Sequence, residues 1–162
     1  MAKIILGIDP GIADTGYGVV KEDKGRLTCL AYGSIKTASG RELPDRLEEL
    51  QNSLEKIIKK YRPDSAAIEQ LFFNKNVRTA LIVGQARGVA LLTLSRHNLP
   101  IFDLTPAQVK LAVSAYGRAS KTQVQKMVKL ILNLKELPRP DDAADALAVA
   151  IGALNSRLCL NR

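Results

Sequence analysis

Apolar residues come in short runs over the first third of the chain and later in steps of three and four. Ile4 to Ile8 is an apolar run broken by Gly7 and ended by Asp9-Pro10-Gly11, the pattern of a buried strand closing in a tight turn. Thr15–Lys21 and Leu27–Lys36 read as two further strands joined through Asp23-Lys24-Gly25, so an antiparallel meander is expected. From Leu43 the apolar positions Leu47, Leu50, Leu54, Ile57, Ile58 and Tyr61 trace one helical face, with Pro44 suited to the first turn and Arg62-Pro63-Asp64 ending it. Ser65–Glu69 is a short strand. Asn76–His97 is a helix with apolar residues around nearly its whole circumference, which requires burial on more than one side. After a strand at Ile101–Leu104, Thr105-Pro106 starts a helix reaching about Ala115. Ser120 caps another helix, carrying Val124, Met127, Val128, Ile131 and Leu132, and Pro138-Arg139-Pro140 stops it. The last helix starts near Asp141 and runs through Ala-rich sequence to about Leu158. This order predicts an α/β layered domain with a mixed central sheet.

The 162 residues fit a single domain spanning 1–162, and 46% hydrophobic with 25% charged residues is a globular composition. The net charge of +8 is unevenly spread. From Gln70 to Lys135 ten Lys/Arg stand against one acid, Asp103, a local charge of +9, while the rest of the chain sums to −1. Concentrated positive charge marks a polyanion-binding surface, and it can also serve as a solvated face. Two cysteines, Cys29 and Cys159, with His97 as the one histidine, make neither a disulfide framework nor a zinc site. With no signal peptide or membrane-span pattern, a cytoplasmic setting is expected.

The acids are scarce, and four positions stand out. Asp9 and Glu69 each end a buried strand, where ligands of α/β sheets bind, although strand-end acids also cap turns. Asp142 and Asp145 lie three apart on one helical face. Acids in a first turn favour the helix dipole, and Asp141 or Asp142 can be the N-cap. Asp145, the only charge from Ala143 to Asn155, sits on an apolar helix where an unpartnered carboxylate is costly. If the strand ends and helix start converge, the carboxylates repel one another and a divalent cation removes that penalty. Oxygen ligands without His or Cys suit Mg²⁺ or Mn²⁺, and acids gathered in a basic protein fit two-metal phosphodiester hydrolysis.

Gly7-Ile8-Asp9-Pro10-Gly11 with Thr15-Gly16-Tyr17-Gly18, Ala67-Ile68-Glu69-Gln70 running into Phe72, Phe73 and Asn76, Gly84-Gln85-Ala86-Arg87-Gly88, and Asp142-Ala143-Ala144-Asp145-Ala146-Leu147 resemble, in family order, the RuvC family of Holliday junction resolvases. The resemblance implies an RNase H-like fold, a homodimer, and nicking of four-way DNA junctions in recombination and repair. It further implies two Mg²⁺ ions per active site, with Mn²⁺ able to substitute, and 5′-phosphate and 3′-hydroxyl products. Asp9, Glu69, Asp142 and Asp145 match the family's catalytic acids, and Asp141 is an extra acid beside the variable third position. Lys110 and Lys121 match basic residues near the scissile phosphate. The RuvA and RuvB branch-migration proteins are partners by resemblance.

Phe72 and Phe73, with Lys75 and Arg78, are candidates for the junction centre, since aromatic side chains wedge between unstacked bases; at least one Phe is expected to be exposed. Arg118, Lys110 and Lys121 complete the expected DNA contacts. Ala80, Gly84, Arg87 and Gly88 on the all-apolar helix are the candidate dimer contact; the other arrangement is a helix sandwiched within one subunit. Competing functions are an RNase H-like nuclease for another structured nucleic acid, an actin-like ATP-binding domain, and a junction-binding module without catalysis.

Overall fold

The computed structural model describes residues 2–71 and 77–160, the side chains of 77, 78 and 157–160 excepted. Three strands open the chain: β1 (Lys3–Asp9), β2 (Asp14–Asp23) and β3 (Arg26–Lys36). Helix α1 (Leu43–Tyr61), β4 (Ser65–Glu69), α2 (Val77–Arg96) and β5 (Ile101–Leu104) follow, then α3 (Pro106–Ser114), α4 (Lys121–Ile131) and α5 (Asp141–Leu160). The expected elements are all present; α1, β4 and β5 keep the expected ends, and those of β1, β2 and β3 move by two residues at most, the ordinary fraying of element boundaries.

The sheet order is β3-β2-β1-β4-β5; β1, β2 and β3 form an antiparallel meander, while β4 and β5 run parallel to β1. Lys24 and Gly25 both have positive φ (52° and 82°), the backbone that a tight two-residue hairpin between twisted strands requires. Thr105 and Ser120 cap α3 and α4 through complete capping boxes with Gln108 and Gln123, which fixes both helix starts.

Helices cover both faces of the sheet. Leu6, Ile8, Val19, Ile35 and Ile68 pack against Leu50, Leu54 and Ile58 of α1 and Ala86, Ala90 and Leu94 of α2. On the other face Ile5, Val20, Ala67 and Leu104 meet Val113 of α3, Val128 of α4 and Leu147 and Ile151 of α5. Period-two alternation therefore sends Ile5, Gly7 and Asp9 of β1, and Ala67 and Glu69 of β4, toward α5.

It is α5, and not α2, that lies deepest: every residue from Ala146 to Leu154 is buried. Glycines permit this. A β-carbon on Gly7 would strike the Ala146 carbonyl, one on Gly16 the Asp142 carbonyl, and one on Gly18 the Leu147 backbone, so the helix rests directly on the strands. The expectation that α2 is buried on more than one side fails within the subunit. Ala86, Ala90, Thr93 and Leu94 are buried, but Leu81 and Leu92 are 65% and 55% exposed, and Gly84 and Gly88 face open space.

Candidate active site

The backbone register gathers the acids. Asp9 ends β1 opposite Gly16 of β2, and Gly16 is where the first turn of α5 sits against the sheet. Asp9 and Asp142 are therefore neighbours because Gly16, the residue between them, carries no side chain. On the other side β1 and β4 run in parallel register through Ile8 and Ile68, so Asp9 and Glu69 end adjacent strands on the same face. The turn after Asp9 is fastened by buried Thr15, whose hydroxyl donates to the Gly11 carbonyl and accepts from the Gly11 N–H at 3.4 Å.

Ligand oxygens of Asp9, Asp142 and Asp145 lie within 4.8 Å of one another, and all three residues are half-buried. Burial, followed by the charges of Asp145, Glu69 and Asp142, pushes the Asp9 carboxyl up to about 8, with Lys121 acting the other way. Glu69 is raised by burial and by Asp145, against Lys110 and Lys121. Asp142 is also raised, by burial and then by Asp14. Such a site holds more negative charge than its surroundings offset, and its donors are all hard oxygens. That donor set fits a divalent cation of the Mg²⁺ or Mn²⁺ type.

Lys121, at the start of α4, places its ammonium 3.1 Å from Asp145 Oδ2 and 3.4 Å from Asp141 Oδ2. Burial disfavours its charge, yet the hydrogen bonds and charges of Asp145 and Asp141 outweigh this and raise its pKa. Lys110 and Lys121 line a cavity of about 200 Å³ together with Glu69, Asp145, Pro106, Val109 and Val124. Both lysines thus face the acids across a cleft of one α3–α4 wall.

The neighbouring acids divide. Asp141 Oδ1 accepts from Gln125 Nε2 at 3.1 Å and its other oxygen pairs with Lys121, which ties it to α4, while Asp142 turns into the cluster. Arg118 is exposed in the α3–α4 loop. Phe72, Phe73 and Lys75 lie outside the described residues, as does the Arg78 side chain. Arg87, expected at a subunit contact, is engaged inside the subunit: its Nη2 donates to both Asp103 oxygens at 2.8 Å. Asp14 was not singled out by the sequence; it lies near Asp142 and accepts from Ser34 Oγ at 3.2 Å. Its only sequence signal is its place in the turn following Asp9.

A family profile described as Crossover junction endodeoxyribonuclease RuvC matches residues 5–153. The chain belongs to the RuvC family. Family members so named from Ruminiclostridium cellulolyticum and Alkaliphilus oremlandii are 57% and 56% identical to it, over 94% and 91% of this chain and 92% and 90% of theirs. A solved RuvC from T. thermophilus, in complex with a Holliday junction substrate, superposes with a TM-score of 0.91 at 34% identity, covering 97% of this chain and 96% of that one. The fold is accordingly the RNase H-like fold of RuvC. Among the described residues no helix is long and apolar enough to cross a membrane.

Proposed function

We propose that this RuvC-family chain is a divalent-cation-dependent endonuclease that resolves four-way DNA junctions by paired nicks. The observation that carries the reading is the Asp9–Asp142–Asp145 cluster, with Glu69, Lys110 and Lys121 around it, in a chain superposing closely on a junction-bound relative. Asp9, with an acidic neighbour on each side, would hold the cation together with Glu69, Asp142 and Asp145. The cations these residues would hold, two Mg²⁺ or Mn²⁺ in their place, would supply Lewis-acid charge for activating water and for the departing 3′ oxygen. Lys121 and Lys110 hold the scissile phosphate and offset the charge that grows on it.

Among the described residues the chain offers one acidic cluster, whereas a four-way junction has near two-fold symmetry and needs two matched cuts. A C2 homodimer through the open face of α2 provides them. Phe72, Phe73, Lys75, Arg78 and Arg118 are assigned to the DNA. RuvA and RuvB are the branch-migration partners, and the setting is the cytoplasm.

The test is cleavage of synthetic four-way DNA, linear duplex and four-way RNA, with Mg²⁺ or with EDTA. Symmetric nicks bearing 5′-phosphates on four-way DNA, lost in EDTA, are expected. Preference for RNA, or cutting unaffected by EDTA, overturns the proposal.

A further inference from the structure

Arg87 lies on α2, on the sheet face opposite the acids, and its side chain is 18% exposed. Its Nη2 donates to both oxygens of Asp103 on β5, and its Nε donates to the backbone carbonyl of Glu69 at 3.2 Å. Glu69 is the last residue of β4, and the next backbone N–H, that of Gln70, donates to the Leu104 carbonyl of β5 at 2.8 Å. The peptide that leaves Glu69 is thus held on both sides, by Arg87 at its oxygen and by β5 at its nitrogen.

Asp103 is 47% exposed, and an ion pair so placed adds little to stability on its own account. Its geometric effect is larger. With Nη2 held by both Asp103 oxygens and Nε by the Glu69 carbonyl, the planar guanidinium is anchored along one edge at two of its nitrogens. The peptide plane it holds sets the direction in which Glu69 departs from the strand. The Glu69 side chain points through to the α5 face, so Arg87 itself touches neither the acids nor a substrate bound among them.

We propose that Arg87, oriented by Asp103, is a positioning residue for Glu69: it locks the end of β4 from behind the sheet and so holds the Glu69 carboxylate in register with Asp9 and Asp145. The inference rests on the reading of Glu69 as a cation ligand. It also makes α2, the helix with the open apolar face, a direct support of the catalytic centre.

The experiment is Mn²⁺ binding by calorimetry to the full chain and to the Arg87→Met, Asp103→Asn, Glu69→Gln and Arg87→Met/Glu69→Gln variants, with thermal unfolding alongside. Loss of an outer support of this kind costs on the order of tenfold in metal affinity. Arg87→Met is expected to show that loss, Asp103→Asn a smaller one, and Arg87→Met no further loss once Glu69 is Gln, although its unfolding temperature drops in both backgrounds. A purely structural role would weaken Mn²⁺ binding by the same factor with and without Glu69, and that result overturns the proposal, as does wild-type affinity in both Arg87→Met and Asp103→Asn. Should Arg87→Met fail to fold, Asp103→Asn with and without Glu69→Gln carries the same comparison. Unchanged affinity in Glu69→Gln would instead overturn the reading of Glu69 as a ligand.

Discussion

Asp9 and Gly16 are cross-strand partners, and the space where a Gly16 side chain would stand is filled by the Asp142 carbonyl at the start of α5. The two acids come from positions 133 residues apart in the chain, and a missing β-carbon is what lets them meet. Gly16→Ala therefore drives a β-carbon into the backbone of Asp142, which a rotamer change cannot relieve. Overpacking of this kind costs about 1–3 kcal/mol, and here it falls on the helix start that carries Asp142. The expected outcome is a lowered unfolding temperature, weaker Mn²⁺ binding and a larger loss in cleavage than in junction affinity, read by calorimetry and by gel assays. Wild-type cleavage by Gly16→Ala would mean that α5 does not need this close approach.

Lys121 stands between the acids and the cleft, 3.1 Å from Asp145 Oδ2. Replacing it with Met keeps the stem and removes the charge. If the ammonium offsets charge that develops on the phosphoryl group, the rate of nicking falls by about 10²–10³ at saturating Mg²⁺, the usual cost of one such group. Because its charge also lowers the pKa of Asp9 in the cation-free protein, Lys121→Met should extend to higher pH the range over which Asp9 keeps its proton, read in EDTA by thermal unfolding. A slower reaction with an unmoved range in EDTA would separate the two roles.

The Asp9 carboxyl, pushed up to about 8 by burial and by its acidic neighbours, links folding to pH in the cation-free protein. In the unfolded chain it titrates at its ordinary value of 3.8, so between the two values the folded state keeps a proton that the unfolded state releases. Stability is fullest below that window and declines as pH rises through it, by up to about 1.4 kcal/mol per pH unit for one group. In EDTA the unfolding temperature should fall from about pH 5 to about 8, and Asp9→Asn should flatten the slope. Mg²⁺ should restore stability at the upper end and release protons on binding, which calorimetry in buffers of different ionisation heat detects. An unfolding temperature that rises with pH in EDTA would contradict the proton held on Asp9.

Local signals in the sequence carry most of the fold. The capping residues Thr105 and Ser120, the turn at Lys24-Gly25 and the leucine steps of α1 all depend on residues within a few positions of one another. Asp9, Glu69, Asp142 and Asp145 were legible as chemistry because acids are rare on buried strand ends and apolar helices. The rest depends on contacts between distant segments. The pairing of Arg87 with Asp103 and the Glu69 carbonyl joins three elements, and no periodicity marks it. Likewise, an apolar helix looks the same in sequence whether its second face meets its own chain, as in α5, or is left open, as in α2. Glycines at 7, 16 and 18, which read as turn and strand residues, let the backbone of α5 rest directly on β1 and β2.

The open face of α2 yields the last prediction. Leu81 and Leu92 are exposed, Gly84 and Gly88 leave the helix surface low, and residues at this spacing fall along one side. Two such helices can approach closely, burying the leucines that one subunit leaves in water. Leu92→Glu introduces a charge where the copies would meet and touches nothing in the subunit core, so monomer stability should change by no more than about 0.5 kcal/mol. Sedimentation at micromolar concentration should show a dimer for the unsubstituted chain and a monomer for Leu92→Glu. On four-way DNA the variant should still bind and nick but lose the coupling between the two cuts, leaving singly nicked junctions. A Leu92→Glu protein that remains dimeric, or an unsubstituted chain that sediments only as monomer, would remove α2 as the interface.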